Sequence, residues 1–162
     1  MAFDLDKLKE AMLYIASHPN VSDLGLTKLY KLVYFVEARH LREHAEAITG
    51  SDFIKYQHGP VPSRGEKAIK QLRKAGAIHA EREEFAGYDM TAISPLRKPD
   101  PRVLSESERA TLDSVCAQLG SKTASQLSDL SHDEPAWIAA PMLRKLSPDL
   151  MMYGSAEDPE GL

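Results

Sequence analysis

The sequence predicts a mainly α fold of the α+β class. The expected architecture is a compact helical domain around one central buried helix, with a small β-hairpin or short sheet and a winged-helix-like outline. Three observations point there. Residues 26–40 read LTKLYKLVYFVEARH, and eight of the eleven residues from Leu26 to Val36 are apolar or aromatic with no Gly or Pro among them. On a 3.6-residue period Leu26, Leu29, Tyr30, Val33 and Val36 form one stripe, and Leu32, Phe35 and Leu41 widen it beyond the face of a surface helix. The order around that stretch, helix, helix, strand, helix, hairpin, follows a winged-helix layout, and a capping-box helix comes after it.

The first helix carries Leu5, Leu8, Met12 and Ile15 on one face and stops near Ser17, before His18-Pro19-Asn20. Asp23 and Gly25 lead into the central helix. There Lys28 and Lys31, three residues apart, are expected to mark a narrow strip where a cation reaches water. The helix loses apolar content near His44, and Gly50 marks its exit. Residues 52–58, DFIKYQH, alternate as a short strand, and Gly59-Pro60-Val61-Pro62 reads as a rigid turn that ends it. Ser63 is expected to cap a third helix over residues 63–75, with Ala68, Ile69, Leu72 and Ala75 inward. Arg64, Lys67, Lys70, Arg73 and Lys74 face away from that side, set against Glu66 alone. This is the most basic face of the chain.

Gly76 ends the third helix, and residues 77–82 and 88–93 read as a hairpin across Gly87. Pro95, Pro99 and Pro101 make an extended connector. Ser105 and Glu108 form a capping box for a helix to Leu119, stopped by Gly120. Thr123 caps TASQLSDLSH, whose inward pair is Leu127 and Leu130. Beyond Pro135, the residues Trp137, Ile138, Met142 and Leu146 read as a last amphipathic segment. Residues 1–150 are expected to form a single domain and residues 151–162 an acidic, disordered tail.

The bulk properties narrow the function. The net charge of −4 and a pI near 5.9 disfavour a surface committed as a whole to nucleic acid, though not a local basic patch. The single cysteine, Cys116, lies in the apolar set Leu112, Val115, Cys116 and Leu119 and reads as a buried small hydrophobe, which fits a reducing, cytoplasmic setting. No stretch approaches the ~20 apolar residues of a membrane helix.

Chemical motifs are sparse. His40, Glu43 and His44 fit H-x-x-E-H, and histidines at i, i+4 share a helix face, so a zinc hydrolase built on His40 and His44 is one reading. It needs a third ligand that the sequence does not identify. Gly59 to Gly65 misses phosphate-loop spacing by one residue, and neither G-x-G-x-x-G nor G-x-S-x-G occurs. No enzyme, metal or cofactor is expected. A winged-helix DNA-binding regulator is a second reading; Asp129, Asp133 and Glu134 oppose phosphate contact by the helix after Thr123, which leaves residues 63–75 as the better candidate.

Three separated blocks carry a resemblance. Leu26-Thr27-Lys28-Leu29-Tyr30-Lys31-Leu32-Val33-Tyr34-Phe35, with His40 downstream, is similar to a K-L-x-K-L-x-Y-[YF] core. Tyr56-Gln57-His58-Gly59-Pro60-Val61-Pro62 is similar to a strand followed by a G-P-V turn, and Leu130-Ser131-His132 through Trp137 to an L-[ST]-H-x-x-x-x-W segment. Together they resemble the Panacea domain, the SocA-like antitoxin family of bacterial and phage toxin-antitoxin systems. The resemblance implies a non-enzymatic antitoxin that neutralises a co-encoded toxin protein by contact, or by presenting it to a protease. With the first helix starting near Leu5, no added DNA-binding domain is expected. Lys28, Leu29, Lys31, Leu32, Tyr34, Phe35, His40, His58, His132 and Trp137 are the motif residues, read as structural. Gly59, Pro60, Val61, Arg64, Lys67, Lys70, Arg73 and Lys74 are the candidate partner-binding set.

Overall fold

A computed structural model describes residues 2–85 and 87–154. The chain is mainly helical, with two separate two-stranded antiparallel sheets. α1 (Leu5–Ser17) starts where the Asp4 carboxylate accepts from the Lys7 N–H, and it buries Leu8, Met12 and Ile15. α2 (Leu26–His44) is the central helix: it packs against α1, both sheets and the later helices, and Leu29, Leu32, Val33, Tyr34, Phe35 and Val36 are all buried. The strip expected to bring Lys28 and Lys31 to water is almost closed. Both are buried, at 3 % and 2 % exposure, because loops and a later helix close over that side of α2. Lys28 donates to the Ser22 and Gly120 carbonyls at 2.5 and 2.6 Å, tying two loops to the helix.

Residues 59–62 also depart from the expected turn. They form β2 (Gly59–Pro62), paired antiparallel with β1 (Phe53–Tyr56) in the register Phe53↔Pro62 and Tyr56↔Gly59, and the turn itself is at Gln57-His58. A strand with Pro60 and Pro62 lacks two ladder donors and is tolerated only at an edge. That is its position, because the other side of β1 is taken by the segment around residue 144: Lys55 N–H donates to Arg144, and the Leu143 and Leu146 N–H groups donate to Lys55 and Phe53. The expected amphipathic segment through Trp137, Ile138, Met142 and Leu146 is therefore broken. Its helical part is only α6 (Pro135–Ala139), which Pro141 keeps from continuing, and Ile138 and Met142 are exposed while Trp137 and Leu146 are buried.

α3 (Gly65–Lys74) begins later than expected. The Ser63 N–H is spent on the Asp52 carbonyl, Arg64 stands at the N-cap without a side-chain bond, and Ala75 is exposed rather than inward. Ala68, Ile69 and Leu72 are buried as expected. The hairpin of β3 (Ile78–Phe85) and β4 (Tyr88–Pro95) is longer than the alternation suggests, and Gly87 in its turn has φ +83°. α4 (Glu106–Leu119) opens with the Ser105–Glu108 capping box, and α5 (Ala124–His132) with a second one between Thr123 and Gln126. α7 (Pro148–Met151) follows a Ser147 cap and buries Met151. The expected tail lies outside the described residues from 155 onward. Cys116 is buried in the core, and burial pushes its thiol up to about 12.

Candidate functional site

The turn between β1 and β2 is held from below by α5. Ser128 Oγ donates to the His58 carbonyl at 2.6 Å, and a β-carbon added at Gly59 would meet Ser131 Oγ and Lys31 Cε, each at 3.1 Å. Gly59 has φ +134°, a backbone few other residues adopt, so the chain passes close over Lys31 only because this residue lacks a side chain. Between the turn and α2 lies a half-open cavity of about 320 Å³. Thr27, Tyr30 and Lys31 form its α2 wall, and Tyr56, Gln57, His58, Gly59, Pro60 and Val61 form its hairpin wall.

Lys31 is the unusual member. Lys28 is spent on two carbonyls, but the Lys31 ammonium has no hydrogen-bond or ion-pair partner among the described residues. Burial alone depresses its ammonium to about 8. Tyr30 shares the wall, with its hydroxyl pushed up to about 12 by burial and by the Glu66 carboxylate, so it stays neutral and able to donate. Gly65, the first residue of α3, packs on the Tyr30 ring: a β-carbon there would stand 2.7 Å from Tyr30 Cε1. The cavity and the start of the basic helix thus share one aromatic side chain.

The candidate partner-binding residues divide accordingly. Gly59 and Pro60 are buried and Val61 half-buried, so this trio is cavity wall rather than exposed turn. Arg64, Lys67, Lys70, Arg73 and Lys74 are exposed along α3; Arg64 lies 5.0 Å from the Phe3 ring, and Lys70 pairs with Glu66 at 3.3 Å. Of the motif residues, Leu29, Leu32, Tyr34 and Phe35 pack in the core, and Tyr34 meets Phe53 edge-on with ring centres 5.4 Å apart. His132 stacks on Trp137 at 4.4 Å, and the Lys55 ammonium sits 4.7 Å above that indole while donating to the Trp137 and Ala140 carbonyls.

His40 is buried and its Nδ1 lies 2.8 Å from Thr111 Oγ1, while His44 is exposed with its ring 4.4 Å from that of His40. Among the described residues no three His, Cys, Asp or Glu side chains are placed to hold a metal ion. Two features escaped the sequence reading. Tyr30 passed as one more core residue. Glu134 passed as part of a helix break, yet its carboxylate accepts from Arg42 at 2.7 Å and from the Tyr34 hydroxyl at 3.2 Å, deep in the core.

The cavity thus sets a buried cation without a partner among the described residues against an apolar and aromatic wall. The chain matches the family described as Antitoxin SocA-like, Panacea domain, over residues 29–138, and it belongs to that family. Neither a curated relative nor a solved structure matches the chain. Among the described residues no helix is long and apolar enough to cross a membrane.

Proposed function

We propose that this protein is an antitoxin that neutralises a co-encoded toxin by direct protein–protein contact through the face formed by the Lys31 cavity, the β1–β2 hairpin and α3. The observation that carries the reading is the family match over residues 29–138, a span that includes that face apart from Thr27. The geometry supports it. The hairpin is stiff, with two prolines and a clamped turn, so little ordering cost attends binding. Arg64 at the N-cap of α3 and the four exposed cations within the helix steer an acidic partner, with an effect that falls as salt rises.

Expression of the neighbouring toxin candidate with and without this chain, followed by co-purification, is the test. Rescue of growth with a stable complex is expected, and Lys67→Glu with Lys70→Glu is expected to slow association about 10-fold at low salt while leaving the fold intact. Rescue without a complex but with faster toxin loss points to presentation to a protease. A DNA-binding regulator is the reading to adopt if rescue fails and a duplex is bound with an affinity that falls with salt and is lost on the same charge reversals.

A further inference from the structure

Three features of the Lys31 cavity bear on what it takes in. The first is an uncompensated charge. An ammonium on a residue that is 2 % exposed has lost much of its hydration, no side chain or carbonyl among the described residues pairs with it, and its remaining solvent contact is through the half-open cavity. Its carbon stem is pinned by Gly59 of β2 on one side, so the cation does not swing out to bulk water without displacing the hairpin. The second is the shortage of backbone donors. Pro60 carries no N–H, and Gly59 and Val61 belong to the strand that pairs with β1. The third is the apolar and aromatic wall made by Tyr30, Tyr56, Pro60 and Val61, of which Tyr56 is 46 % exposed at the mouth.

These features select a class of ligand. One buried ammonium neutralises one negative charge. A phosphate brings nearly two charges and more acceptor oxygens than this wall can serve. A chain-terminal carboxylate is ordinarily caught by a nest of backbone N–H groups, which the proline-bearing strand does not offer. A side-chain carboxylate needs only the ammonium and one or two neutral donors, and Thr27, Tyr30 and Gln57, whose side chains carry such donors, line the same space. We propose that the Lys31 cavity is a carboxylate-binding site that receives one aspartate or glutamate side chain of the partner protein, with an apolar neighbour of that residue lying against Tyr30 and Tyr56. The identity of the partner rests on the toxin-binding reading above; the chemistry of the cavity does not.

The titratable groups facing Lys31 are Tyr30 on its own helix and Tyr56 and His58 on the hairpin, whereas α5 presents the Ser131 hydroxyl. None is a carboxylate, in keeping with burial as the sole cause of the depressed ammonium. A bound carboxylate reverses that depression, and this gives a direct readout. In the full chain carrying ¹³C-labelled lysine, the Lys31 ε-methylene resonance, identified by its loss in Lys31→Met, is titrated alone and with 3-phenylpropionate. The probe pairs a carboxylate with an apolar body and is used at millimolar concentration, where a fragment of this size binds. The amide of the same acid and inorganic phosphate are the controls. The carboxylate is expected to raise the Lys31 midpoint by about 1 to 3 units. The amide should leave it unchanged, and Lys31→Met should weaken probe binding at least about 10-fold without lowering the thermal midpoint, since it removes a desolvated charge.

An unmoved midpoint, equal binding to Lys31→Met, or a larger response to phosphate overturns the proposal. If replacing Glu157, Asp158 and Glu160 by their amides lowers the midpoint of the free chain, the occupant is this chain's own terminus, and the partner assignment falls. In growth rescue, a wild-type chain that neutralises the toxin beside a Lys31→Met chain that does not supports the proposal; equal rescue by both overturns it. Carboxylate binding by a wild-type chain that rescues nothing leaves the chemistry of the cavity standing and removes the antitoxin reading, so the two failures are distinguishable.

Discussion

At the residue scale, the informative side chains are polar groups in places where an apolar one would pack more cheaply. Glu37 is 2 % exposed on α2, and its carboxylate accepts from the N–H groups of Thr49 and Gly50, fixing the loop that leads to β1. Burial pushes its carboxyl up to about 7, although those backbone bonds pull the other way. The folded value lies above the ordinary 4.5, so the folded state holds the proton more tightly than the unfolded chain does. The stability this group contributes is therefore complete below pH 4.5 and is lost as pH rises through about 7, a change on the order of 3 kcal/mol. Glu37→Gln is expected to flatten that part of the profile: less stable than wild type near pH 4.5, where one acceptor is lost, and equal or more stable above pH 7. Urea unfolding across this range checks it, and an unchanged slope would place the pH response elsewhere. Lys31 was legible as a lysine in an apolar run, but its depth was not. A helical wheel treats a cation as a marker of solvent, and the wall that buries this one arrives from Gly59 and Ser131, far away in the chain.

At the element scale, the helices were readable where a local rule was sufficient. The Ser105–Glu108 capping box, the Thr123 cap and the stripe of α2 each depend on residues within a few positions, and each stands where the sequence places it. β2 was not readable as a strand because Gly59, Pro60 and Pro62 are turn formers by every local criterion. Only the pairing of β1 on its other side with the segment around residue 144 makes a proline-bearing edge strand acceptable. The same pairing pulls Leu143 and Leu146 out of the helix that Trp137, Ile138 and Met142 suggested. α5 floors the turn, with Ser128 and Ser131 on one side of a helix only nine residues long. Its cap therefore matters. Thr123→Ala removes the acceptor for the Gln126 N–H and is expected to cost about 1 kcal/mol. A lower urea midpoint with an unchanged m-value is the expected signature, since the cap touches stability without altering how much surface unfolding exposes.

At the scale of the whole molecule, the chain is closed by a polar clasp rather than by more apolar surface. Arg42, on the last turns of α2, donates to the Met151 and Tyr153 carbonyls as well as to Glu134, and Glu134 in turn accepts from Tyr34. One guanidinium thus joins the central helix, the N-cap of α6 and the segment after α7. Both charged side chains are well buried, at 9 % and 2 % exposure, so neither keeps enough water to stand without the other. Glu134→Ala leaves the Arg42 charge and the Tyr34 hydroxyl short of an acceptor, whereas Glu134→Gln keeps an acceptor for both and loses only the charge. The alanine variant is expected to lose about 3 to 5 kcal/mol, which in a domain of this size lowers the thermal midpoint by about 10 °C, and the glutamine variant clearly less. Calorimetry on the pair separates a clasp from a surface contact: a loss under about 0.5 kcal/mol for alanine would show that the C-terminal segment is held by Met151 and its apolar neighbours instead. The clasp lies on a different part of α2 from the Lys31 cavity. A Glu134 variant that is destabilised yet still folded should therefore bind the carboxylate probe as wild type does, because the hairpin and α5 position Lys31 through Gly59, Ser128 and Ser131.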